Sequence, residues 1–163
     1  MPSRKSKSTK KPSLTKVSKK SPAAITKCKN PPLKSGVISS YGELLKTKGD
    51  GTSDRDHIPS YKALEKRALN LNKGKPLTST QKNRIKKAGK AIVLPKAKHK
   101  RGRTYGGKNT AKQSSNDASD LEAAAKKDIQ AYEADGLSGE VLTNMKKLPM
   151  SNAEYDKMLL DNL

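Results

Sequence analysis

The sequence predicts an α+β fold: a small domain of short strands and helices, with a basic tail before it and a helical segment after it. Three observations lead there. The most apolar run, Ala91-Ile92-Val93-Leu94, is short, partly β-branched and closed by Pro95, which suits a strand or buried extended segment. On both sides of it, apolar residues recur at helical spacing behind residues that cap helices. Hydrophobic residues are only 31% of the 163, with no Trp and no Phe. That is too few for a large dry core, and they cluster after Gly36.

Residues 1–35 are Lys, Ser, Thr and Pro with scattered single apolar side chains. Such a stretch cannot bury enough surface to offset its ordering entropy, so it reads as a disordered basic tail. Lys10-Lys11-Pro12 and Lys19-Lys20 suit an import receptor, a membrane surface or a phosphate backbone, and equally a solubilising tail. Cys28 is the sole cysteine, which excludes an intramolecular disulfide and a Cys-based zinc knuckle and leaves a bystander thiol. Gly36 to Leu45 opens the ordered part with a period shared by a strand and a helical turn, and Lys48 to Ser53 is a loop by composition.

Ser60 is placed to cap a helix whose Leu64, Ala68 and Leu71 share a face and which ends near Asn72. Thr78-Ser79-Thr80-Gln81 fits a capping box for a strongly basic helix stopped by Gly89. Further on, Ser119-Asp120-Leu121-Glu122 fits another box, ahead of a face of Leu121, Ala125, Ile129 and Tyr132 that ends at Gly136. Ser138 is placed to cap a short helix, and Ser151-Asn152-Ala153-Glu154 fits a third box. The expected organisation is a tail over 1–35, a domain over 36–112 and an acidic helical segment over 113–163. That last segment either packs on the middle or forms a small bundle of its own.

The formal net charge is +21, unevenly placed. Residues 1–42 hold 11 basic and no acidic residues, 43–109 hold 19 and 5, and 110–163 hold 6 and 10. A field of this sign attracts polyanions through counterion release. No apolar run approaches a membrane span. No apolar signal region follows the basic start, so Sec export is not expected; a non-classically delivered effector or an intracellular protein, nuclear included, remains.

Both histidines lie inside this positive field. In Asp56-His57-Ile58-Pro59-Ser60, neighbouring side chains on an extended segment point to opposite faces, so one can bind metal while the other acts as a base. Phosphodiester hydrolysis needs an activated water, charge neutralisation and help for the leaving oxygen. A histidine near neutral pKa can take the proton, and a divalent ion can supply the charge. His99 stands among Lys96, Lys98, Lys100, Arg101 and Arg103, with no local carboxylate. A neutral imidazole suited to metal is therefore expected there. After it come Gly102-Arg103-Thr104-Tyr105-Gly106-Gly107-Lys108-Asn109: Thr104 and Tyr105 can donate to phosphate, and Arg101, Arg103 and Lys108 can neutralise it. Each string also has a bland reading, as a surface loop histidine or a flexible basic loop.

Taken in order, Asp56-His57-Ile58-Pro59-Ser60, Ile92-Val93-Leu94-Pro95 with His99, and Arg103 to Asn109 resemble the HNH/endonuclease VII (His-Me finger) superfamily, in its bacterial polymorphic and Rhs-type toxin domains. The resemblance covers about residues 50–110. It implies a His-Me-finger-like domain in which His57 is the general base, Asp56 and His99 are metal ligands and Asn109 supports catalysis. The interval from His57 to His99 is longer than in compact members and must hold two helices.

The expected function is thus a metal-dependent nuclease acting on DNA or RNA, a toxin or effector, with Mg²⁺ or a similar divalent ion as cofactor. Its partners are nucleic acid and an immunity protein or other partner at the C-terminal helices. A non-catalytic nucleic-acid-binding protein of ribosomal or chromatin type explains the charge without chemistry. An adaptor that uses the C-terminal helices for contact is the third reading.

Overall fold

The computed structural model describes residues 31–163, and the fold is α+β. The expectations for Lys10-Lys11-Pro12, Lys19-Lys20 and Cys28 lie outside the described residues. In chain order the elements are β1 (Ile38–Ser40), α1 (Tyr41–Leu44), β2 (Ser53–His57), α2 (Tyr61–Leu71), α3 (Ser79–Ala88), β3 (Lys90–Pro95), α4 (Lys96–His99), a 3₁₀ turn (Gly106–Lys108), α5 (Ala111–Ser119), α6 (Leu121–Ala134), α7 (Gly139–Met145) and α8 (Asn152–Leu160).

The strands form one antiparallel sheet in the order β1-β3-β2. β3 is central and covered on both faces, which is why its apolar run is continuous. Ile92 and Leu94 pack with Ile58 against Ala125, Ile129 and Tyr132 of α6. Ala91 and Val93 turn the other way, to Leu44 and to Leu33 from the chain before β1. A second core joins Leu64 and Ala68 of α2 and Ile85 of α3 to Leu121, Tyr155 and Leu159. The acidic C-terminal helices therefore pack on the basic middle, since both main cores take residues from each.

Most helix ends fall where the caps place them. Ser60 Oγ accepts from Ala63 N, Thr78 and Gln81 form a full capping box, and Ser151 and Glu154 form another. The expected box at Ser119 is corrected. Ser119 is the last residue of α5 and its hydroxyl donates back to Asn116 O at 2.6 Å. Asp120, in extended backbone, caps α6 instead by accepting from Ala123 N at 2.9 Å. Ser138 precedes α7 without a side-chain cap bond. α5 is not legible in the sequence because its buried face is Ser114, Asp117 and Ala118, which shows no apolar period. No helix among the described residues is long and apolar enough to cross a membrane.

Candidate active site

β2 organises the site. Its register sets Asp54 opposite Leu94, Arg55 opposite Val93, Asp56 opposite Ile92 and His57 opposite Ala91. Residues opposite one another in an antiparallel pair share a face. Asp54 and Asp56 thus face the α6 side, and Arg55 and His57 face α1. Because β2 is an edge strand, a cavity at its margin reaches side chains of both faces. That cavity, of about 400 Å³, is lined by Asp56, His57, His99, Thr104 and Asn109 together with Tyr41 and Tyr61.

His57 is buried. Its Nε2 lies 2.8 Å from Lys86 O at the end of α3, and its ring stacks on Tyr41 with centroids 4.2 Å apart. A carbonyl only accepts, so Nε2 carries the proton and the lone pair of the neutral ring is on Nδ1. Burial holds the pKa of His57 below its ordinary value, against the Lys86 carbonyl and Asp56, which favour the charged form.

On the opposite face, Tyr132 of α6 donates to Asp56 Oδ2 at 2.6 Å. Asp56 Oδ1 lies 3.3 Å from His99 Nε2, and Asp54 Oδ2 lies 3.0 Å from His99 Nδ1. The ring of His99 also meets the edge of Tyr105 at 4.9 Å. The expected neutrality of His99 is corrected by this geometry. Burial disfavours the imidazolium, but the hydrogen bonds and charges of Asp56 and Asp54 outweigh it and push the pKa up to about 9. Those carboxylates are more than forty positions away in sequence, so the cationic local string gave no sign of them.

Asn109 is buried at the cavity wall. Its Nδ2 donates to Ser60 Oγ at 3.2 Å, while its Oδ1 has no hydrogen-bond partner among the described residues. Lys62 Nζ donates to the Asn109 carbonyl at 3.1 Å, tying this loop to α2. The residues expected to bind phosphate divide. Thr104 lines the cavity and Tyr105 braces His99. Arg101 pairs with Asp135 at 2.8 Å, and Lys108 donates to the carbonyls of Lys100 and Arg101. Arg103 turns inward, donating bidentately to Asp117 and through Nε to Asp128 at 2.9 Å.

Asp56 and His99 offer one carboxylate oxygen and one imidazole nitrogen facing each other. Each is oriented from behind, by Tyr132 and by Asp54, as ligands of metal sites usually are. No group of three or more His, Cys, Asp or Glu able to hold a metal ion occurs among the described residues. The pair fits an ion that keeps waters and takes few protein ligands. Asp54 and Tyr41 were not singled out from the sequence, and Tyr132 was read only as part of a helix face. Asp54 had a usable signal, since it sits two residues before Asp56 on a strand and therefore on the same face.

A comparison with known proteins finds a relative over part of the chain. Over 96 residues the chain is 41% identical to the deoxyribonuclease CdiA of Dickeya dadantii (strain 3937). The aligned part is 58% of this chain and only 3% of that relative's length. No family model matches the chain, and no solved structure matches it.

Proposed function

We propose that this chain is a metal-dependent nuclease of the His-Me finger type that hydrolyses phosphodiester bonds in DNA and acts as a toxin. The observation that carries the proposal is the meeting of Asp56, His57 and His99 in one cavity, reached from separate parts of the chain. The similarity to a protein named a deoxyribonuclease supports DNA over RNA and supports the toxin reading.

In this reading His57 takes a proton from the attacking water through Nδ1. The Lys86 carbonyl fixes its tautomer, and burial keeps it neutral at physiological pH. Asp56 and His99 would hold a divalent ion, Mg²⁺ or a similar hard or borderline cation, His99 giving up its Nε2 proton to solvent while Nδ1–H stays on Asp54. Bound there, such an ion supplies charge neutralisation on the phosphate and at the leaving oxygen. Thr104 and Asn109 are placed to hydrogen-bond substrate in the cavity. Nucleic acid is the substrate, and an immunity protein is the partner that a toxin of this kind implies.

The test is cleavage of plasmid DNA and of total RNA, with Mg²⁺ and with EDTA, by the full chain and by His57→Ala. The expected result is DNA cleavage abolished by EDTA and reduced about 10²- to 10⁴-fold in the variant. Unchanged cleavage by His57→Ala removes that residue as the base. Nucleic acid that is retarded but uncut in every condition replaces this reading with the non-catalytic binding protein.

A further inference from the structure

The cations of α3 are treated unequally. Lys82 pairs with Glu65 at 2.9 Å. Arg84, Lys86 and Lys87 are exposed and have no carboxylate within ion-pair distance among the described residues. Arg84 and Lys87 line a groove of about 630 Å³ between α1 and α3, with Gly42 and Lys46 on the other wall. The carboxylate on that wall, Glu43, is already taken by Lys46 at 2.8 Å.

The groove and the His57 cavity are lined by residues that adjoin in sequence. Tyr41, which stacks on His57, precedes Gly42 of the groove. Lys86, whose carbonyl holds His57, precedes Lys87. Lys86 Nζ lies 5.5 Å from the Tyr41 ring centroid and 5.9 Å from that of Tyr61, two rings that line the His57 cavity.

We propose that Arg84, Lys86 and Lys87 form a track for the DNA backbone flanking the cleaved bond, running from the His57 cavity into the α1–α3 groove. It rests on the nuclease reading above. The track sets affinity and its salt dependence, and the chemical step stays with the cavity. Unpaired cations neutralise phosphates and release the counterions condensed on them, so each contact steepens the dependence of binding on salt. DNA is favoured over a carboxylate-rich partner as the occupant because the residues of the groove adjoin in sequence those of the hydrolytic cavity.

The test uses the full chain in EDTA, made cleavage-silent by His57→Ala, binding a short DNA duplex over a range of salt. The variant Arg84→Gln/Lys87→Gln is compared with Lys126→Gln/Lys147→Gln, which removes the same charge from the C-terminal helical segment. The expected result is a log–log salt slope shallower by about 2 in the α3 variant and unchanged in the control. With His57 restored, the α3 variant needs more protein than the parent to reach half of its maximal single-turnover cleavage rate. An unshifted slope, equal shifts in both variants, a shift with RNA but not DNA, or no DNA binding by the intact chain overturns the track. Cleavage that survives His57→Ala overturns the base assignment while leaving the slopes in EDTA readable, so the two failures are separable.

Discussion

A β-carbon added at Gly89 would lie 2.8 Å from Leu64 Cδ1 and 2.9 Å from His57 Cδ2. Gly89 does stop α3, but its backbone is in an ordinary region, and what it supplies is room for the imidazole. Gly102 plays the same part on the other face: a β-carbon there would collide with the Tyr132 hydroxyl that reaches Asp56. Gly89→Ala should therefore displace the His57 ring and lower the cleavage rate by about 100-fold, the usual cost of a misplacement near 1 Å. Rate and melting temperature measured together check this. A rate held at the parent value in a folded variant would show that Gly89 does not set the position of His57. In the sequence Gly89 reads only as a helix stop and Gly102 only as the first residue of a basic, glycine-rich string. Neither reading contains the side chain that comes to rest against it.

At the scale of elements, the loop after α4 is held by a buried charge cluster. Arg103 sits between Asp117 of α5 and Asp128 of α6. Asp117 receives two of its terminal N–H groups. Asp128 shares the guanidinium through one oxygen, and its other oxygen has no partner among the described residues. Burial pushes the Asp128 carboxyl up to about 7, against the opposing pull of Arg103. An acid whose folded pKa is raised contributes stability that is full below its unfolded value of 3.8 and is lost as pH rises through about 7. Denaturant titrations between those limits should show stability falling as pH rises, by about 1.4 kcal/mol per pH unit at most and a few kcal/mol in all. Asp128→Asn should flatten that limb, and a limb that survives the substitution places the titrating group elsewhere. The capping boxes at Thr78 and Ser151 were legible because capping is local. The Ser119 box misled because Asp120, one residue on, offers a carboxylate to the same helix end.

For the molecule as a whole, residues 113–163 belong to the same folding unit as the strands. Ile58, Ile92 and Leu94 are fully buried against α6 and the chain after it. Exposing each costs about 2 kcal/mol, against a total stability of only about 5–15 kcal/mol for a domain. A fragment ending at residue 112 should show no cooperative thermal transition by circular dichroism, whereas residues 31–163 should show one. A cooperative melt of the fragment would make the C-terminal helices an appendage. The α+β class, the strand ahead of His99, the ends of α2 and α3 and the α6 face could all be read from the chain alone. Each depends on spacing within a few residues and on a side chain's own chemistry. The sequence also marked the two histidines as rare titratable groups in a basic field, with Asp56 and Asn109 as candidates beside them. Only the tertiary structure decided that these four line one cavity, that Asp54 and Tyr132 stand behind the proposed ligands, that Arg103 faces inward, and that His99 is charged by partners absent from its neighbourhood in sequence. Those outcomes depend on which strand lies at the sheet edge and which helix covers which face. Such choices are made by long-range burial, and no local pattern records them.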